Sequence, residues 1–317
     1  MRVVNRKFLY KVNKLNNWAQ SHCHKPTPII IDDTTIRVYF GVRDKQGITR
    51  TTFVDLDAQD ITDLKVKYVY DKPVLDLGKL GTFDDSGVNV SSIVRISKHK
   101  LYMYYIGWNP SLTVPTRNSI GIAVSEDNGT TFYRLFDSPI VDRNKFDPYY
   151  IGAVDVKIVN GLWLMWYTSG TEWKIINGKP EIKYHIKYAY SLDGITWKRN
   201  NIDCILPDDE FSCAARPSVF FKNNKYYMLY SKRKMIDFRT DKNNSYRCGY
   251  AVSENGVYWE ERDNNIVFNP SNKGFDSDSI AYPYVLKVKN EYLVFYNGNK
   301  FGETGFGYGK LKWEKIE

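Results

Sequence analysis

The sequence predicts an all-β chain folded as a five-bladed β-propeller, with four-stranded antiparallel blades around a central channel. The first observation is a repeat. Phe40, Tyr105, Tyr167, Tyr230 and Tyr296 each close a short apolar run, with gaps of 65, 62, 63 and 66 residues. The runs read RVYF, LYMYY, WLMWY, YYMLY and YLVFY, so five copies of one unit fill the 317 residues. The second is the content of each unit: β-branched and aromatic strands joined by Asn/Gly/Lys turns. The third is a turn that recurs late in three units, at 125–132 (SEDNGTTF), 191–197 (SLDGITW) and 253–259 (SENGVYW). Four-stranded units repeated radially make a propeller.

The elements follow in order. Blades are expected at about 15–75, 76–142, 143–208, 209–271 and 272–317, forming one domain. The first strand of a unit, such as AVDVKIV, ARPSVFF or AYPYVLKV, lines the channel. A short turn such as Asn160-Gly161 leads to the aromatic strand, and a longer loop leads to a third strand such as SIGIAV or RCGYAVS. The recurring late turn resembles the Asp-box of many β-propellers, in which Asp or Asn bonds the turn backbone and Gly supplies positive φ. It is read as structural. KFLYKV, within residues 1–14, has no partner in the first unit and is expected to close the ring as outer strand of the last blade.

The chain carries a net charge of +9. No Lys/Arg block forms a nucleic-acid arm, so nucleic acid is not an expected partner. The excess is either a dispersed basic surface or a funnel for an anionic substrate such as a phosphate, nucleotide or acidic sugar. No stretch reads as a membrane span or a signal-peptide core. Cys23, Cys204, Cys213 and Cys248 form no CxxC pair and read as free thiols, so a cytoplasmic location is expected. Oligomeric state is not legible.

Antiparallel alternation brings the starts of all first strands and the ends of all second strands to one channel mouth. Those segments are dense in His, Asp, Glu, Arg, Asn and Trp, and polar groups converging on a concave mouth mark the expected site. The Asp-boxes fall at the opposite end.

At this point the chain resembles the five-bladed glycosidase-like superfamily, which includes glycoside hydrolase family 43, the invertase-like enzymes and the mannoside phosphorylases. AVDVKIVNGLWLMWYTS (153–169) and SLDGITW carry the resemblance. The ending AYPYVLKVKNEYLVFYNGNKFGETGFGYG (281–309) looks like uncharacterised members associated with bacterial surface-glycan clusters. The resemblance implies a carbohydrate-active site, with Asp, Asp and Glu at strand-one starts in the family 43 pattern. Here the corresponding residues are Lys25, Ser91, Ala153, Arg216 and Tyr282, none of them a carboxylate.

Glycosidic cleavage normally uses two carboxylates, so the acids must come from other rim positions. The candidates are Asp155, Asp85, Asp278 and Glu172. Asp155 interrupts an apolar strand, where an unpaired carboxylate is costly; it is either a reacting acid or the partner of an arginine or backbone amide. His24, Arg43, Trp108, Asn109, Trp173, His185, Arg216, Arg239, Tyr282 and Asn297 are the candidate substrate contacts. Several arginines at one mouth suit an anion, and the tryptophans suit a sugar face. His22 and His24 flank Cys23 without further His nearby, so no metal is expected, nor any cofactor. The expected function is cleavage or transfer of a glycosyl group of a small or nucleotide-activated, anionic sugar in bacterial glycan biosynthesis or turnover. The alternative is a non-catalytic glycan- or nucleotide-sugar-binding propeller.

Overall fold

The described residues form twenty strands, the longer ones rich in β-branched and aromatic residues, grouped in five four-stranded antiparallel sheets. The computed structural model describes residues 1–313. The chain opens with β1 (Arg2–Tyr10). Blade one follows as β2 (Ser21–Asp32), β3 (Thr35–Arg43), β4 (Thr49–Asp57) and β5 (Lys65–Val69). Blade two is β6 (Val88–Arg95), β7 (Leu101–Asn109), β8 (Arg117–Ser125) and the short β9 (Tyr133–Arg134). Blade three is β10 (Tyr150–Val159), β11 (Leu162–Ile176), β12 (Lys179–Ser191) and β13 (Lys198–Ile205). Blade four is β14 (Ser212–Lys222), β15 (Lys225–Lys234), β16 (Arg247–Ser253) and β17 (Glu260–Glu261). Blade five contributes β18 (Ala281–Val288), β19 (Glu291–Asn297) and β20 (Phe306–Lys312). Its fourth strand is β1, which pairs with β20 in the register Arg2↔Lys312 to Tyr10↔Phe306. The ring therefore closes through hydrogen bonds between its two chain ends.

Apolar packing lies between blades, with at least one buried cluster for each of the five neighbouring pairs. Phe40 meets Phe295 and Phe306 where blades one and five touch, and Trp166 meets Met228 and Tyr230 between blades three and four. The Asp-boxes latch three of these interfaces. Ser125 Oγ accepts from Gly129 N at 2.8 Å, and Asp127 Oδ1 accepts from the backbone N–H of Thr130 and Thr131. The box glycines Gly129, Gly194 and Gly256 all have positive φ (85°, 74° and 76°). Each then offers its carbonyl to a buried ring on strand two of the preceding blade. Tyr39 OH donates to Gly129 O (2.6 Å), Tyr104 OH to Gly194 O (2.8 Å) and Trp166 Nε1 to Gly256 O (2.7 Å). Donor and acceptor are 90 residues apart in every case, so the latch is part of the repeat. Tyr104→Phe should lower stability by about 1 kcal/mol, the usual worth of one neutral hydrogen bond with its partner left buried. A denaturant midpoint equal to wild type would show that the Gly194 contact is not a latch.

A second repeated device uses the periodic tyrosines. Tyr105, Tyr167 and Tyr296 donate to the buried carboxylates of Asp84 (2.9 Å), Asp147 (3.0 Å) and Asp276 (2.8 Å). An arginine from the outer strand or the segment leading to it meets each acid: Arg134 for Asp84, Arg199 for Asp147 and Arg6 of β1 for Asp276. The ring-closing strand thus supplies the same arginine as an ordinary fourth strand. Burial alone would raise the Asp147 carboxyl, but hydrogen bonds from Ser169 and the Lys187 charge hold it below its ordinary value.

Candidate functional site

Each inner strand carries a register shift toward the mouth, as at His24/Thr27, Ala215/Ser218 and Ala281/Tyr284. In these three the residue before a proline takes a left-handed conformation: Lys25 (φ 50°), Arg216 (φ 54°) and Tyr282 (φ 55°). Such a backbone costs roughly 1–3 kcal/mol for a residue with a side chain and persists only where neighbours over-determine it. Here the preceding blade does so. Asn297 Oδ1 accepts from Lys25 N (3.0 Å), Thr168 Oγ1 from Arg216 N (3.2 Å) and Ser231 Oγ from Tyr282 N (2.8 Å). The bulges place Lys25, Arg216 and Tyr282 in the cavity walls.

Two adjoining cavities occupy the mouth, of about 200 Å³ and 500 Å³, and share Lys25, Tyr150, Arg239 and Tyr282 in their walls. The smaller also touches Trp173, Glu181, Arg216 and Arg233. The larger also touches His24, Arg43, Asn89, Trp108 and Asn118. Five cationic side chains therefore line the mouth (Lys25, Arg43, Arg216, Arg233 and Arg239) against one carboxylate, Glu181. Glu181 itself pairs with Arg239. Arg216 is fully buried; it donates to Ser91 O and to Thr27 Oγ1 (2.8 Å), and its Nε has no partner. His24 Nε2, Arg43 Nε and Asn89 Oδ1 are likewise buried without a partner. Buried polar groups are rarely left unmatched, so these atoms mark a place for a ligand or water. Burial and the neighbouring Arg216 and Arg43 lower the Lys25 ammonium to about 7. Burial, with Arg43 beside it, lowers His22 to about 4.

Seven of the ten expected substrate contacts meet here: His24, Arg43, Trp108, Trp173, Arg216, Arg239 and Tyr282. Three do not line these cavities. Asn109 reaches back to Thr82 O, His185 faces Asp203 at 3.0 Å, and Asn297 holds the Lys25 backbone. None of the four expected acids lines these two cavities, which differs from the sequence expectation. Asp155 is sealed in the channel, where Lys157 Nζ (2.8 Å), Tyr284 OH (3.1 Å), Ser92 Oγ (3.3 Å) and Val219 N (2.6 Å) all donate to it. An acid so fully engaged is a pin between blades. Asp85 accepts from Gly81 N and Ser86 Oγ in its own loop. Glu172 is exposed beside Lys174 at 3.6 Å. Asp278 is exposed on a neighbouring depression with His22 and Lys300, which shares Phe238, Arg239, Tyr246 and Phe301 with the smaller cavity.

The residues missed are Glu181, near the start of β12, and Lys25 as a side chain of the site. Lys25 had a signal, because Lys25-Pro26, Arg216-Pro217 and Tyr282-Pro283 repeat one step at three strand-one starts. Pocket-facing Glu181 had none. It is near the tip of a hairpin whose length differs from every other blade.

Comparison with known proteins agrees with this architecture. No protein-family model matches the chain. Among solved structures, a glycosyl hydrolase from Bacteroides ovatus superposes with a TM-score of 0.67 at 16% identity, covering 97% of this chain and 94% of the other. A thermostable family-43 glycoside hydrolase gives 0.65 at 18% identity, covering 94% and 93%. A structure from the GH130 family of mannoside phosphorylases gives 0.64 at 16%, covering 94% and 86%. At such identities the likeness is one of fold. The uncharacterized Mycobacterium tuberculosis proteins Rv1502 and MT1551 are each 33% identical over 297 residues, 93% of this chain and 94% of theirs. This chain therefore belongs to the family of those mycobacterial proteins, and its five-bladed propeller has the fold seen in those glycoside hydrolases.

Proposed function

We propose that this protein is a carbohydrate-active enzyme that cleaves or transfers the glycosyl group of a phosphate-activated sugar, such as a nucleotide sugar. One observation carries the reading: five cations and one carboxylate line the mouth. Hydrolysis of an ordinary glycoside calls for a carboxylate pair, one to protonate the departing oxygen. A phosphate leaving group needs no such proton. The bond from the anomeric carbon to the phosphate oxygen breaks with its electron pair going to phosphate, and the arginines meet that charge. Glu181 takes the proton of the attacking water or hydroxyl, whose oxygen forms the new bond to carbon. Trp108 and Trp173 offer apolar faces for the sugar. The role belongs to bacterial glycan biosynthesis or turnover. The four free cysteines support a reducing, cytoplasmic setting.

The lack of a carboxylate pair also favours a second reading, a binding module for the same ligands. A chromatographic assay separates the two, using nucleotide sugars, sugar phosphates and neutral glycosides, each with and without inorganic phosphate. Consumption confined to phosphate-bearing sugars is expected. Turnover of neutral glycosides alone would refute the reading. A sugar phosphate that raises the melting temperature without being consumed would establish the binding module.

A further inference from the structure

We propose that Lys25, Arg43 and Arg216, with His24, form a seat for one dianionic oxyanion group of the ligand, and that Lys25 takes up a proton as that group enters. The inference deepens the anionic-sugar reading above and rests on it. Lys25 stands at the junction of the two cavities. Its backbone is held in the left-handed region by Asn297, and its ammonium lies 5.0 Å from the Tyr282 ring centroid. Among the described residues no carboxylate pairs with it. The groups facing it are Arg43 on β3, Arg216 on β14, Tyr282 on β18, His24 on β2, Tyr150 on β10 and Arg239 after β15. No carboxylate lines the larger cavity, Glu181 in the smaller is engaged by Arg239, and Asp155, whose field reaches Arg216, is engaged by Lys157. Three cations thus converge without a counter-ion. Beside them the Nε2 of His24, which is 3% exposed, and the Nε of fully buried Arg216 lack partners. An oxyanion supplies both the missing charge and the missing acceptors.

The proton follows from the same geometry. Burial and its two arginine neighbours bring Lys25 down to about 7 in the empty site. A dianion in contact with the amine favours its charged form, so the bound value lies higher. Below pH 7 Lys25 is already protonated and binding is insensitive to pH. Above pH 7 the free amine is neutral, and each binding event draws a proton from solvent. His24 is held well below its ordinary value by burial and by Arg43 and Lys25, so it is neutral in the empty site and serves as a hydrogen-bond donor.

Titration calorimetry tests this on the whole chain, with sulfate as a non-titrating dianion and a hexose phosphate as its sugar counterpart. At pH 8, two buffers of different ionisation enthalpy should report uptake approaching one proton per anion. Affinity should fall by up to about tenfold per pH unit above pH 7. Lys25→Arg keeps a charge that does not titrate, so it should bind at all pH values with no uptake; Lys25→Met should bind at least about tenfold more weakly. Binding to wild type without proton uptake overturns the Lys25 role while leaving the anionic reading intact. Uptake that persists in Lys25→Arg moves the proton to His24 and also overturns it. If neither anion binds, the seat and the anionic-sugar reading fall together.

Discussion

Asp155→Ala should destabilise the protein by about 3 kcal/mol, because a fully buried carboxylate is taken from donors of which only Lys157, its side chain 33% exposed, can turn to water. The side chain is fully buried, and its four donors come from four blades: Ser92 from two, Lys157 from three, Val219 from four and Tyr284 from five. Without the carboxylate, the Val219 N–H has no acceptor and Lys157 has no counter-charge. Burial alone would lower the Lys157 ammonium, yet Asp155 and Tyr284 hold it above its ordinary value, so the pairing is strong in the folded state. Asp155→Asn keeps the shape and one acceptor but loses the charge, and should fall between alanine and wild type. Pairing Asp155→Leu with Lys157→Met should recover part of the loss, because no charge is then left buried alone. Denaturant midpoints decide the matter. A wild-type midpoint in Asp155→Asn combined with abolished turnover would return Asp155 to the role of reacting acid.

This contrast shows where the sequence was informative. Periodic aromatics, Asn/Gly turns and Asp-boxes are local signals, and each unit repeats them, so the number of blades and the direction of their strands were legible. The choice among acids was not, because it depends on contacts far apart in the chain. Asp84, Asp147 and Asp276 lie at the rim in sequence, yet each turns inward to a tyrosine 20 or 21 residues later and to a distant arginine. For Asp276 that arginine is Arg6, at the other end of the chain. Asp155 likewise reads as a reactive carboxylate in an apolar strand until the amide of Val219 and the hydroxyl of Tyr284 are brought to it. The basic contacts were easier to find. Long cationic side chains at strand-one starts and at or just after strand-two ends have few places to go but the mouth, so Arg216, Arg43 and Arg239 were recognised while the acids were not.

Glu181→Gln is the matching test of the chemistry, and its expected effect is on rate. Glu181 is the one carboxylate in the walls of the two cavities, and its side chain is 12% exposed. It leans on Arg239, whose side chain is 55% exposed, so the pair is wetted and worth about 1 kcal/mol or less. The midpoint should therefore stay near wild type, unlike that of Asp155→Ala. Turnover of the phosphate-activated sugar found in the assay should drop by about 10²–10⁴, the range for losing a positioned general base. Binding of that sugar should persist, since Lys25, Arg43 and Arg216 are untouched. A fall in kcat with KM little changed would place Glu181 at the proton-transfer step. A rise in KM with kcat preserved would make it a holder of Arg239 only, and turnover within about threefold of wild type would remove it from the reaction.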